Sequence, residues 1–109
     1  MAAGIRYIPI TLNSSGVASV EINAFGLVTS IRIERSSGSP VVTISDDVDT
    51  IVDGVTFSSD RTVYPRAANE DVDGVAIGTW SPFSVAGNVT IAITGGASNG
   101  TVNVRMKVL

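Results

Sequence analysis

Apolar and polar residues alternate in short runs along most of the chain. The clearest runs, residues 88–94 and 101–109, place Val, Ile or Met at every second position. A period of two is typical of a β-strand that buries one face and exposes the other. In a third run we expect Leu27, Ile31 and Ile33 to point inward. Because no stretch of ten or more residues combines a helical period with capping residues, the pattern predicts an all-β protein.

Clusters of Gly, Ser, Asn, Asp and Pro separate the apolar runs. We predict that Phe25-Gly26 and Ser81-Pro82 break strands and that Asp53-Gly54 forms a turn or a bulge. We expect residues 60–74 to form a long loop that begins with a few extended residues, and loops of this length usually carry function or are held by a partner. About seven to nine short strands predict a single-domain antiparallel β-sandwich, jelly-roll-like or Ig-like. The predicted strands are residues 5–12, 17–24, 27–35, 41–45, 50–58, 75–80, 88–94 and 101–109.

The first predicted strand, residues 5–12, contains Pro9, which has no N–H to donate to a ladder. We therefore expect either an edge strand or an extended N-terminal arm that lies across a partner or adds a strand to its sheet. The side chains predicted to contact that partner are Ile5, Tyr7, Ile8 and Ile10.

The chain has 109 residues, a common size for one domain, so we expect one domain over 1–109 with 1–12 as its candidate arm. Charged residues make up 16% of the chain, against about 25% in a typical globular protein. This shortage of charge favours an interface that covers apolar surface. No apolar run approaches the roughly 20 residues that span a bilayer, so we expect no membrane partner.

Negative charge is concentrated in the middle of the sequence. Residues 46–73 contain eight acids and two arginines, a net charge of −6, whereas the other residues contain five cations and two acids, a net charge of +3. Binding to nucleic-acid phosphates needs a clustered basic surface. The charge distribution therefore argues against a nucleic-acid partner.

The sequence has few of the side chains that carry chemistry. Histidine and cysteine are absent, and Lys107 is the one lysine. These residue types supply many of the general bases, nucleophiles and metal ligands of proteins. We expect no catalytic residue, no cofactor and no metal ligand, and hence a protein that acts through its surface and is not an enzyme.

A calcium site is the one metal hypothesis that the acidic residues support. Residues 69–74, NEDVDG, place oxygen donors at positions 1, 3 and 5 and Gly at position 6 of a calcium loop. Position 12 is Trp80 instead of Glu, which excludes a helix-loop-helix site. A simpler site in which Asp71 and Asp73 join acids of residues 46–49 stays open beside a solvated acidic loop.

Two groups of side chains are candidates for partner binding. Trp80 and Phe83, if exposed, stack on a sugar ring or anchor in a partner's pocket; if buried, they close one end of the sandwich. Arg61, Tyr64 and Arg66 form a compact group suited to bridging carboxylates of a neighbouring chain. Internal ion pairs between these arginines and nearby aspartates are the alternative.

Several segments together resemble a known class of proteins. These segments are the apolar stretch from Ile5 to Leu12, the run FGLVTSI at 25–31, the stretch from Asp60 to Arg66, and the terminal hairpin around Gly95-Gly96. They resemble the small all-β virion proteins of tailed bacteriophages, most of all capsid-decoration (cement) proteins. The resemblance implies that the chain is made in the host cytoplasm and binds the major capsid protein on the capsid exterior. It also implies a homo-oligomer, a trimer or a dimer.

Two alternatives remain open beside capsid decoration. The first is a small module that binds carbohydrate or another cell-surface component. The second is a tail or neck assembly subunit.

Overall fold

Every regular element in residues 4–109, the part of the chain that the computed structural model describes, is a β-strand. The all-β prediction is confirmed. In chain order the strands are β1 (Gly4–Thr11), β2 (Ala18–Arg35), β3 (Gly38–Asp46), β4 (Thr50–Thr56), β5 (Arg61–Val63), β6 (Arg66–Glu70), β7 (Ala76–Gly96) and β8 (Thr101–Val108).

All strand pairs are antiparallel, in the order β1-β8-β2-β7-β3-β4, with β5 beside β2 and β6 beside β7. The long strand β2 pairs with β7 over residues 18–28 and with β8 over residues 28–35. A bulge between Val28 and Ser30 marks the change of partner. Because bulges bend a strand, the sheet is bent where β2 changes partner. The predicted sandwich is confirmed.

The core is one apolar cluster of buried residues from six of the strands or their flanking residues. No polar or charged residue is buried within residues 4–109. Each fully buried Val or Ile contributes about 1.5–3 kcal/mol of transfer free energy. The buried residues are Ile8, Ile10, Leu12, Ala24, Val28, Ile31, Ile33, Val42, Ile44, Ile51, Val52, Phe57, Val85, Val89, Ile91, Ile93, Val102, Val104, Met106 and Val108.

The N-terminal segment is an edge strand of the sandwich. β1 pairs along its whole length with β8, from Gly4 opposite Val108 to Thr11 opposite Thr101. Ile8 and Ile10 point into the core, where both are buried. Alternation along β1 thus turns Ile8 and Ile10 inward, and of the four side chains predicted to contact a partner it leaves Ile5 and Tyr7 exposed.

Two predicted strand breaks are wrong. β2 continues through Phe25-Gly26, and β7 continues through Ser81-Pro82. Gly26 adopts a φ of +130°, which a glycine tolerates without leaving the strand. The pairing of β7 with β3 ends at Val89, so Pro82 lies where β7 has an open edge. A missing N–H is tolerated at such an edge.

The predicted extended start of the loop at 60–74 is confirmed as β5, but the loop predicted after it is wrong, because residues 66–70 form β6. β6 has the sequence RAANE, whose apolar residues are only two alanines, and its pattern carried little strand signal. The prediction for Asp53-Gly54 is confirmed as a bulge: β4 continues, and its register with β3 shifts between Val42 and Ile44.

Candidate interaction surface

A two-stranded ribbon extends from the sandwich. It consists of residues 66–82, in which β6 pairs with the first part of β7. The pairing of β2 with β7 ends at the Val28–Phe83 pair. The preceding residues of β7, from Pro82 back to Ala76, pair with β6 instead. Residues 71–80 are all exposed. Because an isolated two-stranded ribbon is marginally stable in water, its surface is a candidate for contact with a partner.

The ribbon is attached at its base by Arg66. Its Nη1 donates hydrogen bonds to the carbonyl oxygens of Thr29, at 3.0 Å, and Pro65, at 2.8 Å. Thr29 is the residue that the β2–β8 register skips, and its hydroxyl donates to the carbonyl oxygen of Lys107. Arg66 therefore provides a donor at the bulge and joins the ribbon to β2.

The ribbon ends in a turn that Asp71 stabilises. Its Oδ1 accepts hydrogen bonds from the backbone N–H groups of Asp73 and Val75, at 2.9 and 3.0 Å. Asn13 Oδ1 accepts the same two bonds from Ser15 and Val17 in the turn after β1. The residues that suggested a calcium loop are thus arranged as an ordinary side-chain-capped turn.

The acidic segment 46–49 also forms a turn that an aspartate side chain caps. Asp46 Oδ1 accepts hydrogen bonds from the N–H groups of Val48 and Asp49 in the turn between β3 and β4. Within residues 4–109, no three acidic side chains come together as a metal site would require.

The two predicted aromatic anchors lie apart. Trp80 is on the ribbon, opposite Ala68, and is 65% exposed. Phe83 is partly buried and packs against the core. Trp80 is therefore available to a ligand or partner, whereas Phe83 closes the sandwich near the ribbon base.

Three exposed apolar side chains that the sequence did not identify form an outer strip on the sandwich, namely Phe25, Leu27 and Leu109. Leu27 and Leu109 exchange backbone hydrogen bonds of 3.0 and 2.8 Å. Phe25 lies two residues before Leu27, on the same face of β2. The prediction that Leu27 points inward is wrong. The bulge before Ser30 shifts the alternation, so that Val28 takes the buried position.

A second exposed surface, the basic face, consists of Ile5, Tyr7, Arg105 and Lys107. Lys107 is opposite Ile5, and Arg105 is opposite Tyr7, so all four side chains lie on the outer face of β1 and β8. Ile5 is 64% and Tyr7 49% exposed. The Arg105 guanidinium lies 4.4 Å from the centre of the Tyr7 ring, within cation–π distance.

Glu34 adjoins the basic face. Its carboxylate accepts a 3.0 Å hydrogen bond from Arg105 Nε and a 3.2 Å bond from Arg32 Nε. These hydrogen bonds, first that of Arg105 and then that of Arg32, hold the pKa of Glu34 below its ordinary value. Ionised Glu34 thus fixes both guanidinium groups on the outer face.

The predicted group of Arg61, Tyr64 and Arg66 is divided among separate contacts. The Arg61 guanidinium lies 4.7 Å from the centre of the Phe57 ring and donates to the Thr56 carbonyl oxygen. Tyr64 is exposed and lines a shallow apolar groove of about 170 Å³. Within residues 4–109 the ion pairs are the two that Glu34 makes, so neither Arg61 nor Arg66 pairs there with an aspartate. The other groove residues are Ile51, Val52, Asp53, Val55, Val63 and Pro65.

Compared with known proteins, the chain matches no protein family, no curated protein and no solved structure. Across residues 4–109, no helix has the length and apolar character needed to cross a membrane. Any conclusion about function therefore depends on the surfaces described above.

Proposed function

We propose that this chain is a non-enzymatic structural protein of a tailed-bacteriophage virion, a decoration protein that binds the assembled major-capsid lattice from outside and stabilises the head. The observation that carries the proposal is the outer strip. Phe25, Leu27 and Leu109 are exposed on a sandwich whose interior is fully apolar. Grouped apolar side chains on an otherwise well-packed domain are typical of a protein-binding surface.

The requirements of a decoration protein support the same role. Such a protein folds in the host cytoplasm and then holds neighbouring capsid subunits together, which requires a cohesive core and several separate contact surfaces. The outer strip, the ribbon and the basic face are three separate exposed surfaces on one small domain, and each can be covered by a capsid subunit or by a second copy of the chain. Assembly as a dimer or trimer multiplies a modest contact with the lattice.

Co-sedimentation tests this proposal. Purified chain is mixed with expanded capsids of its source phage, and with free capsid subunits in a parallel sample, and the bound copies per capsid are counted. We expect saturable binding at a multiple of the lattice symmetry sites and little binding to free subunits. Binding of only a few copies per particle, or no binding, would exclude capsid decoration and favour a tail or neck subunit or a carbohydrate-binding module.

A matched pair of variants tests the outer strip in the same assay. Phe25→Ser removes an exposed apolar side chain, whereas Ala86→Ser changes the exposed residue opposite Phe25 on β7 with little loss of apolar area. We expect the first variant to weaken capsid binding and the second to leave it unchanged. Equal binding by both variants would exclude the strip as the contact.

A carbohydrate-binding module is the second candidate, and the exposure of Trp80 on the ribbon favours it. An exposed indole can stack on a sugar ring. Because Trp80 is the sole tryptophan, its fluorescence reports on this site alone. A saturable change during titration with host-surface oligosaccharides would support this function, and an unchanged spectrum would exclude it.

A further inference from the structure

The ribbon tip, residues 70–74, places negative charge around a fully exposed valine. Glu70, Asp71 and Asp73 lie within this short stretch, which contains no cation. Val72 is 99% exposed. An apolar centre inside a charged rim is the arrangement of protein-binding hot spots. The tip thus has the features of one half of a protein contact.

The basic face has the opposite charge. Arg32, opposite Arg105, and Glu34, two residues further along β2, lie on the same side of the sheet and adjoin the basic face. With these two neighbours the basic face has three cations and one carboxylate, a net charge of +2. The exposed rings and methyl groups of Tyr7 and Ile5 lie beside these cations. The face is therefore complementary to the tip in charge and offers apolar area for Val72.

The tip does not contact the basic face of its own chain. Lys107 lies near the ribbon base, because Thr29 bonds both the Lys107 carbonyl oxygen and the Arg66 guanidinium. From Arg66 to Val72 the extended chain covers about 20 Å, at about 3.3 Å per residue. The acidic tip and the basic base are thus at opposite ends of the ribbon.

We propose that two copies of this chain pair about a two-fold axis with their ribbons antiparallel. In that arrangement the tip of each copy reaches the basic face at the base of the other, so both contacts form at once. Asp73 and Glu70 then lie against Lys107, and Val72 lies against Tyr7. A two-fold interface satisfies this reciprocity because each surface occurs once on every copy.

The same pairing explains the apolar residues along the ribbon. Val75, Ile77 and Trp80 are exposed in the single chain. A second ribbon alongside covers part of this apolar surface and supplies the additional packing that a two-stranded ribbon lacks. The dimer deepens the homo-oligomer part of the proposed function, but it forms without any capsid.

Sedimentation equilibrium with charge-reversed variants tests this interface. We expect wild-type chain to form dimers and to dissociate more readily at high salt, because surface charge contacts are screened. Asp73→Lys and Lys107→Glu should each weaken dimerisation by about tenfold or more, since like charges then meet in both contacts. An equimolar mixture of the two variants should regain dimers, because each heterodimer contact joins opposite charges. Asp47→Lys, in the turn after β3, is the control and should dimerise as wild type does.

Circular dichroism first verifies that each variant is folded. If a charge-reversed variant does not fold, the neutral substitution at the same position, Asp73→Asn or Lys107→Gln, replaces it. A wild-type chain that stays monomeric up to about 1 mM, a level at which even weak complexes form, would overturn the proposal. Failure of the mixture to regain dimers, an equal effect of Asp47→Lys, or a trimer would also overturn it. No capsid is present in this test, so its failure is independent of a failure of capsid binding.

Discussion

Gly16 lies so close to the backbone of Gly96 that position 16 has no room for a β-carbon. A Cβ built on Gly16 would lie 2.0 Å from the Gly96 carbonyl oxygen, and the Gly96 N–H donates a 3.1 Å hydrogen bond to the Gly16 carbonyl oxygen. The contact joins the turn before β2 to the end of β7. Close backbone approach and a φ of +72° both require glycine at position 16.

Gly16→Ala should therefore lower the free energy of unfolding by about 3 kcal/mol or more, from left-handed strain plus a backbone clash. Gly74→Ala is the control: its φ is +81°, but a Cβ there meets nothing within 4 Å. We expect that variant to lose only about 1 kcal/mol. Urea unfolding of both variants measures the difference, and equal losses would show that the Gly16–Gly96 contact carries no energetic cost.

Asp71 should act in the ribbon turn through its oxygen and not through its charge. Because Asn13 makes the same two hydrogen bonds in the first turn, Asp71→Asn should retain the turn. Asp71→Ala should lose about 1 kcal/mol of local stability. Hydrogen exchange of the ribbon amides measures this loss. Faster exchange in Asp71→Asn than in Asp71→Ala would contradict the assignment.

Ile10 and Ile5 separate the core role of β1 from its surface role. Ile10 is buried and Ile5 is exposed on the same strand. Ile10→Ala should cost about 2–5 kcal/mol of unfolding free energy, whereas Ile5→Ala should cost less than about 0.5 kcal/mol. Thermal unfolding followed by circular dichroism measures both. A small effect of Ile10→Ala on the free energy of unfolding would support an N-terminal arm that is not part of the core. Cooperative folding after deletion of residues 1–12 would support the same conclusion.

Alternation along the chain was sufficient to predict the fold class and much of the core. Val89, Ile91 and Ile93, which the pattern placed on one face, are all buried, as is the alternating apolar set of β8. Strand continuity was less predictable. Glycine and proline signals at Phe25-Gly26 and Ser81-Pro82 indicate local conformations, but the ladder partners that carry a strand past them are distant in sequence.

The interaction surfaces were only partly predictable for the same reason. Exposed Tyr7 and Trp80 were identified from residue type, but the partner of Tyr7 is Arg105 at the other end of the chain. Arg66 was identified as a partner-binding residue, and its hydrogen bond to Thr29 depends on a bulge that alternation does not reveal. The sequence predicts which side chains are suited to contacts, and the pairing register determines which ones share a surface.

Arg66→Ala should loosen the ribbon while leaving the sandwich intact. The substitution removes the hydrogen bond to the Thr29 carbonyl oxygen at the ribbon base. We expect faster hydrogen exchange across residues 66–82 and unchanged protection of the core amides of β8. Arg61→Ala is the control, because Arg61 contacts Phe57 and Thr56 away from the ribbon. Equal exchange in the two variants would show that Arg66 does not hold the ribbon.

Glu34 should make the stability of the sandwich depend on pH. Its pKa is lowered in the folded chain by hydrogen bonds from Arg105 and Arg32. Because the pKa is lowered, the contribution of Glu34 to the free energy of unfolding is fully present above the pKa of the unfolded chain, about 4.3. The contribution is then lost as the pH falls through the pKa of the folded chain.

Comparison with Glu34→Gln isolates this effect, because the amide does not titrate. Urea unfolding should show wild type more stable than the variant at neutral pH and the difference shrinking as the pH falls below about 4. High salt should reduce the difference at neutral pH, since both partners are exposed. A difference that stays constant from neutral to acidic pH would show that ionised Glu34 does not stabilise the fold.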